Sequence, residues 1–415
     1  MTRRVSIILL SSYFFTFLLT NFGLTYDRFA VQFFYLGILN VLTFSFLFYN
    51  YSFKEIFDIS INSKPIIFYS LFILFSSFSI FVANNKPESI IVFCQYFTFF
   101  LALIFINFIT KKSNVNFVNL LIIFCIISLT LESFRVFFTA FDHLVIDQKN
   151  FTRNNSLYRG FAANINISAF SMVIKTPAIL YLLDKKIKTH YKLLLSILLF
   201  TVVSCLFIFL SRASFIAFVF ILLSYFLIRV IREQKINIVS TVRILLICIT
   251  SYVYMSSVMN NDSSNIISDR VTSIGINPDD QSISQRLRYY NHSLKMISKN
   301  FLTGIGIGNW KIESIKYEAP NMSGYRVPYH AHNDFLQVFA ESGILAFLSF
   351  ILLIIYPVKR IVHVKRINKE YIILCLMMGV YIIDSIFNFP IARPISHIFF
   401  LFLLVALTSK DLKNE

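Results

Sequence analysis

Charge is what this sequence has least of. Only 14% of its 415 residues are Asp, Glu, Lys or Arg, where a soluble domain carries about a quarter. Hydrophobic residues make up 57%, with 49 phenylalanines among them. That much apolar side chain suits a lipid-facing surface and excludes an ordinary water-soluble core. Paired cysteines are missing too. Cys94, Cys125, Cys205, Cys248 and Cys375 all lie in apolar runs, none in a C-x-x-C or zinc-like spacing, so neither a disulfide framework nor a structural metal is indicated. No Gly/Ser-rich or Pro-rich stretch marks a linker, and no segment repeats at a fixed period. The apolar opening "MTRRVSIILLSSYFFTFLLT" lacks a small-residue cleavage site. It reads as a retained signal-anchor helix.

The charges that are present are mostly positive. A formal net charge of +17 invites a nucleic-acid partner, but the distribution argues for a bilayer instead. A spanning helix needs about 20 mostly apolar residues, and about twelve runs qualify, at roughly 5–24, 29–50, 65–83, 90–110, 116–138, 161–183, 192–210, 213–230, 242–260, 333–356, 371–388 and 394–409. Alternate connections hold Arg3 and Arg4, Lys54 and Lys64, Lys111 and Lys112, the lysines from Lys185 to Lys192, the run from Arg229 to Arg243, "KRIVHVKRINK", and Lys410 and Lys413. The positive-inside rule places these connections and both termini in the cytoplasm. One long polar segment, 261–332, then falls on the outer side, between membrane domains at 1–260 and 333–415.

The outer segment carries its own structural signals. "DDQSISQRLRYYNHSLKMISKN" spaces Leu287, Tyr290, Leu294 and Ile297 as one face of a helix packed on, or lying at, the membrane domain. Arg286 and Arg288 would point about 200° apart on that helix, so one faces inward and the other meets water. "FLTGIGIGNW" alternates glycine without matching G-x-G-x-x-G. Two readings stay open for it: a close-packed turn, or backbone amides approaching a phosphate or sugar.

Charges within apolar runs are costly and ask for a reason. Arg212, in "FLSRASF", is either a snorkelling loop charge or a guanidinium aimed at an anionic group. Arg135 follows Glu132 by three residues, the spacing of an intrahelical pair. Lys175 precedes Pro177 in a helix that also bears Asn164 and Asn166, and a proline kink there could open a cavity. Asp384 could pair with one of the arginines or take part in catalysis. In "PYHAHNDFLQVFAESG", His330 and His332 stand beside Asn333 and Asp334 where apolar sequence resumes. Asn333, Gln337 and Glu341 form a polar stripe that must face a cavity or other helices. His-x-His alone could bind a metal, but no third ligand stands at suitable spacing, and no metal is expected.

At these residues the sequence resembles the O-antigen ligase and polymerase superfamily of bacterial envelope glycosyltransferases. The matching pieces are "LSRAS" around Arg212, "SISQRLRYYNHSLKMISKNFLTGIGIGNW" and "HAHNDFLQVFAESGILAF", with "YRGFAANINISAF" around Arg159 beside them. Where members often carry a tryptophan after the loop arginine, this chain has Tyr289 and Tyr290. The resemblance implies a GT-C-like helical membrane fold. It also implies transfer of a glycan from undecaprenyl diphosphate, at the outer face of the inner membrane, to lipid A–core or to a second lipid-linked glycan. It makes His332 the base, with His330 and Asn333 beside it, and Arg212 and Arg286 the diphosphate ligands. Arg288, Arg159 and Lys175 complete the donor-binding set. Two guanidiniums can neutralise the leaving group without a metal, which leads to an expectation of metal-independent, inverting transfer with no cofactor. A ligase, a polymerase and a flippase for the same lipid-linked sugars are the competing functions. No internal repeat of the kind many transporters show is visible.

Overall fold

The computed structural model describes residues 1–19, 28–152, 155–162, 164–233, 238–259, 266–275, 280–321, 327–359 and 368–409, with 361 and 412 besides. Its helices, in chain order, are α1 Arg3–Phe14, α2 Arg28–Asn50, α3 Phe53–Ile61, α4 Lys64–Val82, α5 Lys86–Lys112, α6 Phe117–Phe141, α7 Ile165–Asp184, α8 Thr189–Phe209, α9 Arg212–Glu233, α10 Ile238–Met259, α11 Ile266–Thr272, α12 Gln281–Lys299, α13 Trp310–Glu318, α14 Asp334–Val358, α15 Lys369–Phe387 and α16 Pro394–Leu407. No strand occurs among the described residues. Parts of the expected outer segment (261–265, 276–279 and 322–326) and most of the basic run at 359–369 lie outside them.

Among the described residues, ten helices are long and apolar enough to cross a membrane, which makes this an all-helical, multi-pass membrane protein. The two other expected spans are shorter than anticipated. The first, at 5–24, is the 12-residue α1, tightening into a 3-10 turn at Phe15–Leu18; residues 20–24 of that expected span lie outside the description. The last, at 394–409, is the 14-residue α16, about 21 Å long at 1.5 Å per residue against roughly 30 Å of hydrocarbon. All of α16 except Ser396 is buried, and His397 meets the Tyr69 hydroxyl at 2.8 Å. High hydropathy here reflects burial inside protein, a distinction that composition does not make.

The chain forms two compact units. The first comprises Met1–Val115, Ile276–Lys359 and Asp384–Ser409, and so holds α1–α5, α12–α14 and α16. Its central device is a break in α14. Gly343 has φ 75° and ψ −178°, so Asp334–Val358 is two helical pieces joined at a kink. The kink frees backbone groups that would otherwise bond within the helix, and buried backbone groups need partners. The glycine loop supplies them. Ile305 N donates to Ala340 O and Gly306 N to Glu341 O, each at 2.9 Å, while Ile344 N donates to Phe301 O at 3.1 Å. The backbones must touch for this. A Cβ on Gly304 would lie 2.3 Å from Glu341 O, and one on Gly343 would lie 2.1 Å from Leu302 O. Ser79 Oγ accepts from Ile307 N at 2.9 Å, and Asn309 Nδ2 donates to Ser89 Oγ at 2.7 Å. The close-packed reading of "FLTGIGIGNW" is therefore the observed one.

The helix α12 forms where expected, but only part of the expected face turns inward: Ile297 is buried and Tyr290 is half-buried. Leu287 and Leu294 are 45% and 54% exposed. The inward face is Tyr289, His292, Ser293, Met296 and Ile297. Trp310 decides this: its indole N–H donates to Ser293 Oγ at 2.8 Å, and its ring meets Tyr289 edge-on at 5.6 Å. A helix with two apolar stripes leaves the choice to its partners.

The second unit comprises Asn116–Gly275, Arg360–Ile383 and Lys410–Glu415. Within it, α6 and α7 share a buried ion pair. Lys175 Nζ bonds Glu132 Oε1, and it also donates to Ser171 Oγ at 2.8 Å. Ser128 and Ser171 hydroxyls donate to the two Glu132 oxygens at 2.5 and 2.6 Å. The expected Glu132–Arg135 pair does not form; the Arg135 guanidinium sits 4.2 Å from the Phe161 ring centroid instead. An interhelical lysine offers Glu132 a charge inside the protein.

Candidate functional site

The site is built in the first unit from α12, the segment 327–333, the first piece of α14, and the turn at 388–393. Asn333 is the N-cap of α14, its Oδ1 accepting from Leu336 N at 3.0 Å. This satisfies an otherwise unpaired helix-end donor, and it fixes the residue before it. His332 has φ 56°, the left-handed region, uncommon outside glycine and costly enough to be found where surroundings impose it. The Tyr290 hydroxyl reaches the carbonyls of Ile386 at 2.9 Å and His332 at 3.2 Å, pinning α12 to this bend.

The expected polar stripe faces protein. Gln337 Oε1 accepts from Ala331 N at 3.1 Å, and its Nε2 lies 3.3 Å from Glu341 Oε1 and 3.4 Å from His330 Nδ1. Glu341 Oε1 also accepts from Trp310 N at 3.1 Å. The stripe thus couples the histidine-bearing segment to the glycine loop.

Phe389 is the platform of the site. The His330 ring stacks on it at 3.8 Å between centroids, and His332 meets it edge-on at 5.2 Å. The Arg393 guanidinium lies 3.6 Å from the same centroid. Burial, then the charge of Arg393, pulls the His330 pKa down to about 3. Burial, then Arg286 and Arg393, do the same for His332, to about 3. Both imidazoles are neutral at ordinary pH, whereas an unperturbed histidine titrates near 6.5. His332 Nδ1 is buried without a hydrogen-bond partner. The arrangement is a neutral base flanked by two cations, suited to taking a proton beside an anionic group.

The sequence-derived residues divide sharply. His330, His332, Asn333, Arg286 and Arg288 all lie in the first unit. Arg286 is half-buried and acts electrostatically on His332 and Tyr290. Arg288 turns to Glu318, donating from Nε at 3.2 Å and Nη2 at 3.0 Å. Arg212, Arg159 and Lys175 lie in the second unit. Arg212 opens α9 just after Leu210, whose φ of 47° ends α8, and its Nη1 donates to Ser273 O at 3.2 Å. Arg159 ends a 3-10 turn, with its carbonyl accepting from Ser168 Oγ at 2.5 Å. Lys175 is held in the Glu132 pair. No three His, Cys, Asp or Glu side chains converge as metal ligands among the described residues.

Against known proteins, residues 197–351 match the family described as O-antigen ligase. The match covers 155 of the chain's 415 residues. It runs from within α8 to within α14, and so takes in Arg212, the polar segment 261–332 and both histidines. No curated protein matches the chain. The matched stretch stops before Phe389 and Arg393, which the sequence pattern did not single out. Arg393 carried the same signal as Arg212, an arginine between two apolar runs, in "NFPIARPISH".

Proposed function

We propose that this protein belongs to the O-antigen ligase family and transfers a glycan from undecaprenyl diphosphate to a sugar hydroxyl of lipid A–core. The reaction runs at the outer face of the bacterial inner membrane, with both termini in the cytoplasm. The observation that carries the reading is His332: a neutral imidazole on a constrained backbone, with an unpartnered ring nitrogen, in the field of Arg286.

In this reading the imidazole takes the proton of the acceptor hydroxyl as its oxygen attacks the anomeric carbon. The bond from that carbon to the diphosphate breaks, and the electron pair leaves on a phosphate oxygen. Attack opposite the leaving group inverts the anomeric centre. Arg286 offsets the leaving-group charge where solvent is largely excluded, which is where a fixed cation is most effective. As the diphosphate binds, its negative charge offsets the arginines and raises the affinity of His332 for a proton. Asn333 and Gln337 hold the histidine segment, and Arg288 holds α12 through Glu318. His330 flanks the base on the Phe389 ring. Arg212 and Arg159 keep the donor-binding assignment that the family resemblance implies, whereas Lys175 is taken up by Glu132.

The test gives the purified protein a lipid-linked oligosaccharide with either lipid A–core or a second lipid-linked glycan. Product with lipid A–core alone is the expected result. Product with the second lipid-linked glycan alone makes the protein a polymerase. No product with either acceptor, together with flipping of the lipid-linked sugar in reconstituted vesicles, overturns the enzyme reading. Activity lost in chelator and regained with magnesium overturns the metal-independent mechanism.

A further inference from the structure

Two side chains at the histidine site hold buried polar atoms with no hydrogen-bond partner: Arg393 at Nε and Nη1, and His332 at Nδ1. Buried polar groups are ordinarily paired, and each exception asks for an explanation. Arg393 is the costlier of the two, a guanidinium only 3% exposed. Its neighbouring acids do not account for it. Asp384 and Asp334 act on it electrostatically, and burial draws its pKa down to about 10. Yet Asp334 Oδ2 accepts from Ile391 N at 3.0 Å, and Asp384 Oδ1 accepts from Asn388 Nδ2 at 2.8 Å. Neither carboxylate takes the Arg393 Nε or Nη1 hydrogens. The two acids offset the charge and leave these donors unspent. The guanidinium lies over the Phe389 ring, which both histidine rings also contact.

Such donors are satisfied only by acceptor oxygens, and a guanidinium favours those that carry negative charge. We propose that Arg393 is a substrate-binding residue, its free N–H groups donating to phosphate oxygens of the donor's diphosphate beside His332. The inference rests on the proposed function. It adds a ligand from outside the family-matched stretch, at the start of α16. Arg286 and Arg393 then bracket the base from two elements, α12 and the 388–393 turn. The leaving group is held by two cations within the unit that carries the base.

The experiment uses the full chain in lipid nanodiscs, with undecaprenyl diphosphate and undecaprenyl monophosphate as probes. Arg393→Gln alone leaves Asp384 buried without its cation and risks misfolding. The informative variant is Arg393→Gln with Asp384→Asn, which removes both charges. Its melting temperature should match wild type, while affinity for the diphosphate falls on the order of 10- to 100-fold, the scale of lost hydrogen bonds to a charged group. The preference for diphosphate over monophosphate should shrink, and Arg393→Lys should recover part of the affinity. Wild-type affinity in the folded double variant overturns the proposal and leaves Arg393 a counter-ion. A separate outcome isolates the functional reading itself: if wild type does not bind undecaprenyl diphosphate, or Arg286→Gln and wild type bind it equally, that reading fails and the inference falls with it.

Discussion

Two buried charge clusters, one in each unit, are solved in opposite ways. Around Lys175 the ammonium, the Glu132 carboxylate and two serine hydroxyls satisfy one another. Around Arg393 the acids bond elsewhere, and two guanidinium nitrogens and an imidazole nitrogen stay unpaired. Burial alone does not separate the two, because Lys175 is 2% exposed and Arg393 is 3% exposed. Pairing does. A closed network stabilises a helix contact, whereas an open one has capacity left for a ligand. Intramembrane charge raises a question of function, and the hydrogen-bond inventory answers it cluster by cluster.

The comparison breaks first at His332. His332→Ala should lower the transfer rate on the order of 10²- to 10⁴-fold, as loss of a general base does, with undecaprenyl diphosphate affinity largely kept. Retained turnover in His332→Ala with loss in His330→Ala would move the base to the other ring. The closed cluster should fail differently. Lys175→Met should destabilise by about 3–5 kcal/mol by leaving Glu132 buried and unpaired, and adding Glu132→Gln should recover most of it. Thermal unfolding in detergent measures both, and a single variant as stable as wild type would deny the pair its structural role.

The histidines make a smaller, pH-dependent contribution. Their folded pKa values of about 3 lie below the ordinary value of about 6.5. Between those values the unfolded chain binds protons that the folded chain refuses, so stability falls as pH drops from about 6.5 towards about 3. Melting temperature against pH should show that slope, and replacing both histidines by asparagine should flatten it. By the same sign, kcat/KM should show no acid limb near pH 6.5. The smallest effect is at the cap: Asn333→Ala should cost about 1 kcal/mol, read as a shift in melting temperature.

Much of this was legible without coordinates. The class of protein, most of the spans, the existence of α12 and the inward stripe of Gln337 and Glu341 follow from local rules of period and polarity. The misreadings share a cause. Leu287 and Leu294 lie at good helical spacing yet face outward, because Trp310 packs on the other stripe. Arg135 stands three residues from Glu132 yet loses it to Lys175, 43 positions away. The 394–409 run is apolar enough for lipid yet lies within protein as α16.

What the sequence determined by itself is what depends on neighbours along the chain: hydropathy, helical phase, caps, and the glycines that allow a left-handed bend. Local pattern also singled out the histidine pair, because polar residues clustered at the mouth of an apolar helix are costly without a use, while the role of base came from the family resemblance. Only tertiary structure decided which charges cancel and which remain open. That depends on distances of a few ångströms between residues far apart in the chain, such as Trp310 with Glu341 and Arg393 with His332. A hydrogen bond is made or missed within about half an ångström, and sequence spacing has no such resolution once the chain turns back on itself.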